Sequence, residues 1–357
     1  MPPRNHKDWL KKPKVEYVSS EIYSSFEIYE QEKEMIFSKV WVPVCHVSEM
    51  PDLGDFRTTT IADVGVIVYQ HHDGVRAHKN YGFNQPSGTL ASPIVTSEPR
   101  LHCEVKHGGM VWVTLNPNPD MSVEQWTAGA FDCIADAIDT EDLEVFHYHK
   151  AIIDTNYKLW HDTNSEFYHD FMHYFNRVSG FNDEYFARKN IPFDNGHVNV
   201  SSFTVNYEEY DGFEDRGELS FPNLPPNQWY MVDLFPGYNF NLRGSAYRSD
   251  SVTPLGPNKV MIEFRGYGLK NDSESDRRTR INHHNSIWGP FGRNLHEDLI
   301  GVAGQGTTMR EGTEYRNILH GRHENSTIHD EVGMRHYYAE WGKFLERDPS
   351  SYLKEAA

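Results

Sequence analysis

Three cysteines in 357 residues, Cys45, Cys103 and Cys133, are too few and too irregularly spaced for a disulfide framework. No run approaches the roughly 18 consecutive apolar residues that a membrane-spanning helix needs. The N-terminal stretch MPPRNHKDWLKKPK is basic, yet no apolar segment follows it, so it does not read as a secretory signal. These absences point to a reducing cytoplasm. Positive charge is also scarce: 34 Lys and Arg stand against 52 Asp and Glu, for a net charge of −18. Phosphate backbones and anionic lipid surfaces are bound by clustered Lys and Arg, so no nucleic-acid or membrane partner is expected. Internal repeats and low-complexity blocks are missing as well.

What is present suffices for a sizeable core: 38% hydrophobic and 13% aromatic residues, over a length suited to two packed domains. Residues 21–40, EIYSSFEIYEQEKEMIFSKV, place apolar side chains at helical spacing. Runs rich in β-branched and aromatic residues follow at 40–45, 56–61, 64–69, 101–105 and 110–115, with turn residues such as PDLGD between them. PNPD at 117–120 closes this all-β region. Helices are expected over 121–140 and 158–176. Strand-like runs fill 196–269, with TPLGPNK (253–259) as the turn of a hairpin joining the last two. Helical patterns return at 273–305 and 327–347. The expected class is α+β, a long antiparallel sheet with helices to one side. The chain divides into an N-terminal helical segment (1–37), a β domain (38–118) and a mixed domain (119–357).

Residues 156–173 read NYKLWHDTNSEFYHDFMH. His169 and His173 are four apart, so on a helix they share a face and reach one ion. The spacing alone says little, because 20 histidines give about one such pair by chance. Glu166, three residues before His169, adds a carboxylate to that face, where it can orient a ligand and relay charge. Asp298, within LHEDLIGVAGQG, supplies a third ligand type. Two histidines and a carboxylate hold one iron and leave positions open for O2. Read separately, each is also an ordinary surface residue.

The order of these segments decides between the readings. IYEQEKEMIFSKVWVPVCHVSEMPDLGDF, NYKLWHDTNSEFYHDFMH, NLHEDLIGVAGQG and DEVGMRHYYAEWGKFL are collinear over most of the chain. In that order they resemble the large (α-type) subunit of Rieske non-haem iron aromatic-ring-hydroxylating oxygenases. The resemblance implies a Rieske-like β domain followed by a helix-grip (START-like) catalytic domain with a long antiparallel sheet. It implies mononuclear Fe(II) held by His169, His173 and Asp298. Glu166 matches the family's bridging carboxylate, usually Asp, which links the iron to a neighbouring subunit's cluster. Asp162 and Thr163 depart from the usual Glu-Asn.

The resemblance also exposes a gap. A Rieske [2Fe–2S] centre takes two Cys and two His, which the family supplies as Cys-x-His and Cys-x-x-His. Gly82 and Asn84 stand where the first pair belongs. For the second pair there are two readings: Cys103 and His107, with one residue too many between them, or a deletion that lets EVKHGGMVWVTLNP match the strand after the cluster. The deletion is favoured, with structural roles for Cys103 and His107. No [2Fe–2S] cluster is expected in this chain.

The implied function is that of an oxidoreductase subunit in a hetero-oligomeric mono- or dioxygenase. Its iron would hydroxylate an aromatic or related organic substrate with O2. The electrons would come from a cluster-bearing α subunit in a mixed trimer or hexamer, and indirectly from a ferredoxin or reductase. The alternative is a non-catalytic structural subunit whose partner carries the working iron. A free-standing mononuclear iron enzyme is disfavoured, because the ligands come from helices. Phe167, Phe171 and Tyr174 either line a pocket or belong to the core, which their helical spacing favours, and Arg177 either meets a substrate carboxylate or pairs at the surface.

Overall fold

The computed structural model describes residues 15–91, 99–140, 142–207, 219–311, 317–322 and 328–347. The basic N-terminal stretch lies outside them. Strand β1 (Val15–Ser19) precedes helix α1 (Phe26–Glu32), whose last turn widens into π-helix at Lys33–Phe37. The N-terminal segment is therefore not purely helical: β1 pairs antiparallel with a strand late in the chain, Asn317–Arg322.

A β-rich unit follows, built from β2 (Val42–His46), β3 (Asp55–Ile61), β4 (Val64–His71), β5 (Gly74–Lys79), β6 (Ser87–Thr89), β7 (His102–Lys106) and β8 (Met110–Thr114). These form two antiparallel sheets, ordered β2-β8-β7 and β5-β4-β3-β6. The expected strands at 56–61 and 64–69 are present with nearly the same bounds. The turn between β7 and β8 runs through three left-handed residues, His107, Gly108 and Gly109, with φ of 51°, 71° and 89°. Two glycines suit such a turn because they lack a Cβ.

The 121–140 region is not one helix. It forms two short ones, α2 (Val123–Thr127) and α3 (Ala135–Ile138), separated by turns. Strand β9 (Leu143–Ile153) comes next, then α4 (Tyr157–Glu166), α5 (Tyr174–Ser179) and α6 (Asp183–Ala187). Strands β10 (Asn190–Pro192), β11 (Val198–Thr204), β12 (Gln228–Leu234), β13 (Tyr238–Arg243), β14 (Ala246–Gly256) and β15 (Lys259–Leu269) build the main sheet. Helices α7 (Glu274–Trp288) and α8 (Arg293–Glu311), the strand β16 (Asn317–Arg322) and helix α9 (Val332–Leu345) complete the chain.

The main sheet has seven antiparallel strands in the order β10-β11-β12-β13-β14-β15-β9, and it confirms the α+β class. β14 and β15 form the expected hairpin across Gly256 and Lys259. Both faces are covered, so β13 and most of β14 are wholly buried. On one face Phe240 stacks toward Trp112 of β8, Ser251 donates to the Pro43 carbonyl (3.2 Å), and Arg265 donates to Glu49 (2.7 Å). On the other face lie α4 and α7: Trp160 packs edge-on against Phe264, and Trp288 sits under Arg248.

Strand alternation sorts β13 unusually. Tyr238, Phe240 and Leu242 take one face, and Asn239, Asn241 and Arg243 take the other. Across the register, Asn239 faces Asp250 and Asn241 faces Arg248. A polar row is thus buried on the sheet beneath the helices, where uncompensated polar groups are costly. The candidate site lies above that row.

Candidate metal centre

Helix α4 starts at Asn156, whose side chain accepts the Lys158 amide at 3.0 Å. Most of its residues are buried, and polar contacts fix it on several sides. Lys158 meets Glu32 at 2.6 Å. Asp162 accepts hydroxyl hydrogens from Tyr23 (2.6 Å) and Tyr338 (3.1 Å), and His161 lies 3.0 Å from Asp233 on β12. Thr163 donates to the Leu159 carbonyl at 3.0 Å. The two residues that depart from the family motif, Asp162 and Thr163, are therefore tied into the helix and its neighbours.

The helix ends at Glu166. Phe167 takes a φ of 57°, rare for a bulky residue, and its ring is buried with Val200, Met231 and Ile328. A 3-10 turn, Tyr168–Phe171, follows, and His173 is the N-cap of α5. The reading of 158–176 as one helix is therefore corrected. His169 and His173 share no helical face; a broken segment brings them together, with ring centroids 5.1 Å apart. Glu166 holds the break. Its carboxylate accepts the backbone amides of Tyr168 (2.5 Å) and His169 (3.2 Å) and also pairs with His169 Nδ1.

Asp298 reaches the same place from α8. Its Oδ1 lies 2.9 Å from His173 Nε2 and 3.4 Å from His169 Nε2. Ligand atoms about 2.1 Å from one metal and at right angles stand about 3 Å apart, so these separations fit a shared ion. Asp298 Oδ1 is buried, and its neighbours are these two ring nitrogens, atoms that can themselves ligate a metal. Glu297, the residue before it, approaches His173 Nδ1 at 2.8 Å. Both imidazoles thus have a carboxylate on Nδ1, which turns each Nε2 toward Asp298.

Among the described residues, ligand atoms of His169, Asp170 and His173 also lie within 4.8 Å of one another. Asp170 is otherwise engaged: Oδ1 accepts from Asn176 (3.1 Å) and Oδ2 from Tyr185 (2.8 Å). Asp298 is the carboxylate left for an ion.

Charge within the group is strongly coupled. Burial pushes the His169 pKa down, but Glu166 and Asp298 outweigh it and leave the value well above the usual range. His173 is raised in the same way, burial being overcome by Asp298. Burial pushes the Asp298 carboxyl up, and the two histidines hold it well below the carboxylate range.

Beside the three groups is a cavity of about 30 Å3. Its walls include Phe167, Met231, Trp288, Asn294, Arg243 and Arg248. Arg248 pairs through Nε and Nη2 with the carboxylate of Asp250, both contacts at 2.7 Å. Burial raises the Asp250 pKa to about 7 against the pull of Arg248. Phe167 is buried as expected, but Phe171 and Tyr174 are 48% and 45% exposed and are not core. Arg177 is exposed.

All four residues singled out in the sequence, Glu166, His169, His173 and Asp298, meet here. Glu297, Arg243 and Arg248 were missed. Glu297 shows no separate signal beside Asp298. The arginines were legible in YNFNLRGSAYRSD, where Asn239, Asn241 and Arg243 fall two apart in a strand otherwise apolar.

The positions considered for a second metal group lie elsewhere. Gly82 and Asn84 are exposed in the loop between β5 and β6. Cys103 is on β7, opposite Val113. His107 stacks on Phe131 at 4.1 Å and its Nε2 is 3.0 Å from Thr127 Oγ1. Cys45, Cys103 and Cys133 are all free thiols. Among the described residues no helix is long and apolar enough to cross a membrane.

Comparison with known proteins places this arrangement among others. Residues 140–347 match the family described as Ring hydroxylating alpha subunit (catalytic domain). The chain is 56% identical to the methanesulfonate monooxygenase hydroxylase subunit alpha of Methylosulfonomonas methylovora, over 98% of this chain and 97% of that one. That alignment spans 402 positions, more than the 357 residues here, so the relative carries residues without a counterpart in this chain. A second relative, the 2-aminobenzenesulfonate 2,3-dioxygenase subunit alpha of an Alcaligenes species, is 34% identical over 93% and 94% of the two chains. A solved quaternary ammonium Rieske monooxygenase, described as giving insight into carnitine oxidation and inter-subunit electron transfer, superposes with a TM-score of 0.73 at 17% identity. The match covers 94% of this chain and 97% of that one.

Proposed function

The chain belongs to the ring-hydroxylating α-subunit family of Rieske oxygenases, and on that premise we propose that it is the iron-bearing subunit of a hetero-oligomeric oxygenase that hydroxylates a small organic sulfonate. His169, His173 and Asp298 would hold one mononuclear Fe(II). Electrons would arrive from the [2Fe–2S] cluster of a partner subunit by way of Glu166. The observation that carries this reading is Asp298 Oδ1: a buried carboxylate oxygen between two Nε2 atoms whose rings are steered by Glu166 and Glu297. Two nitrogens and one oxygen on one side of an ion suit non-haem Fe(II).

When bound, the iron supplies the activation of O2. The chain's own residues do the rest. Glu166 and Glu297 hold the imidazole orientations. Phe167, Met231 and Trp288 exclude water from the cavity. The side chain of Glu166 is 16% exposed, so it spans from a ligand to the surface, the position a relay to another subunit requires. The sulfonate reading rests on the two relatives named for sulfonates. The cavity of about 30 Å3 favours a molecule of few atoms over a fused ring.

The partner requirement rests on the β domain. Gly82 offers no ligand atom, Asn84 sits in an exposed loop, and His107 is engaged with Thr127 and Phe131. The extra length of the sulfonate-named relative is consistent with a deleted segment here.

The test is metal analysis together with reconstitution. The purified chain is expected to bind one iron, and His169→Ala to lose both that iron and the turnover of the complex. An iron-free chain, or a fully active complex containing the variant, would point instead to a structural subunit. Turnover by the iron-loaded chain alone with a generic reductase would remove the partner from the scheme.

A further inference from the structure

Two guanidinium groups face the cavity beside the metal centre, and their bonding differs. Arg248 is paired with the Asp250 carboxylate, donating from Nη2 to Oδ2 at 2.7 Å and holding Nε 2.7 Å from Oδ1. Arg243 is 1% exposed, yet neither its Nε nor its Nη1 makes a hydrogen bond. Among the described residues no carboxylate lies within ion-pair distance of it. What surrounds Arg243 is aromatic: Trp229 at 3.8 Å, Phe175 and Trp288 at 5.5 Å. Ring faces stabilise the flat face of a guanidinium and leave its in-plane N–H donors unused.

A buried cation with open donors is costly unless something fills them. The neighbouring polar groups do not. Asn241 is occupied, accepting from Trp229 Nε1 at 2.6 Å and donating to Asn239. Asn164 donates to the Trp160 carbonyl at 2.9 Å. Arg243 lines the same cavity as His169, His173 and Asp298. A guanidinium edge matches two oxygens of one oxyanion in parallel.

We propose that Arg243 is the anion anchor of the substrate site: its guanidinium, which no carboxylate among the described residues neutralises, receives the oxygens of a small sulfonate and turns the carbon end of that molecule toward His169, His173 and Asp298. This rests on the reading of those three residues as an iron site and adds the group that recognises substrate. Arg248, neutralised by Asp250, flanks the anchor and offers one further donor. The ring of Trp229 keeps the guanidinium plane fixed, so the anion's direction of approach is set before it binds.

The experiment is titration calorimetry of the iron-loaded, full-length chain with methanesulfonate and with methanesulfonamide, which is nearly the same shape and uncharged. Methanesulfonate is expected to bind at least about ten-fold more tightly, as hydrogen bonds to a charged partner imply. Arg243→Gln should abolish that preference, and Arg243→Lys, which keeps the charge and loses the fork, should fall between. Iron content should stay unchanged in both. Equal binding of the two ligands to the wild-type chain overturns the proposal, and this comparison needs no variant to fold. So does a folded Arg243→Gln chain that keeps the preference. The two readings fail separately. An iron-free chain that still prefers the sulfonate keeps the anchor and sinks the iron site; an iron-loaded chain without preference does the reverse.

Discussion

Glu297 and Asp298, consecutive residues of α8, grip His173 by opposite ring nitrogens: Glu297 Oε2 is 2.8 Å from Nδ1 and Asp298 Oδ1 is 2.9 Å from Nε2. A helix places neighbouring side chains about 100° apart, and here the imidazole bridges that angle. The carboxylate on Nδ1 fixes the tautomer that presents Nε2 as a lone pair.

Glu297→Ala should therefore weaken iron binding by about 10- to 100-fold while all three ligands remain. Competitive chelation of the iron-loaded chain, wild type against variant, measures it. Unchanged affinity would mean that His173 is held by packing alone.

Glu166 has a double task, capping the broken helix and touching His169. Glu166→Gln keeps an acceptor for the Tyr168 and His169 amides and removes the charge beside Nδ1. The variant should keep its fold and lose at least about ten-fold in the rate at which a cluster-bearing partner reduces the iron. Stopped-flow reduction of the assembled complex reads that rate. Normal reduction would assign Glu166 a purely structural role.

In the metal-free chain both histidines bind protons more tightly folded than unfolded, because neighbouring carboxylates outweigh the effect of burial. That contribution to stability is complete below about pH 6.5 and is lost as pH rises through the raised folded values. Iron displaces those protons. The difference in unfolding temperature between iron-loaded and metal-free chains should widen as pH rises above about 6.5. A difference independent of pH would disconnect the histidines from the metal.

Lys158 and Glu32 form a fully buried pair at 2.6 Å, with Trp341 Nε1 also donating to the same carboxylate oxygen at 2.7 Å. Removing one charge strands the other. Lys158→Met should cost about 3–5 kcal/mol in denaturant unfolding, and Lys158→Met combined with Glu32→Gln should recover much of that loss. If the single variant costs under about 1 kcal/mol, the pair does not hold α4 to the N-terminal segment.

Gly306 sits where α8 crosses the start of α4. A Cβ there would meet the Asp154 carbonyl oxygen at 2.6 Å and Thr155 Cα at 2.7 Å, both backbone atoms that cannot step aside. Gly306→Ala should shift α8, cost about 1–3 kcal/mol and loosen the Asp298 contact, so iron affinity falls with stability. A variant with lower stability and intact affinity would show that α8 slides without moving Asp298.

Much of the fold was legible from local pattern. The hairpin of β3 and β4 and helix α9 carry the alternation and the apolar periodicity that burial of one face demands. Strand β9 was missed because LEVFHYHKAII is mostly half-exposed and rich in His, with no apolar alternation to announce it. It becomes a strand by pairing with β15 along its whole length. The single helix expected over 158–176 failed at Phe167. Nothing local signals a left-handed phenylalanine; the ring takes that conformation because Val200, Met231 and Ile328 bury it.

The sequence by itself determined the ligand types, the carboxylate beside them and the order of the segments, because these depend on residue identity and chain order. Only the tertiary structure decided that the helix breaks at the ligands, that Asp298 rather than Asp170 has an oxygen left for an ion, and that Arg243 lies buried beside them among aromatic rings, with Nε and Nη1 making no hydrogen bond. Those facts depend on which neighbours surround each polar group, and the neighbours come from β12, α5, α6 and α7, brought together only when the sheet and helices close.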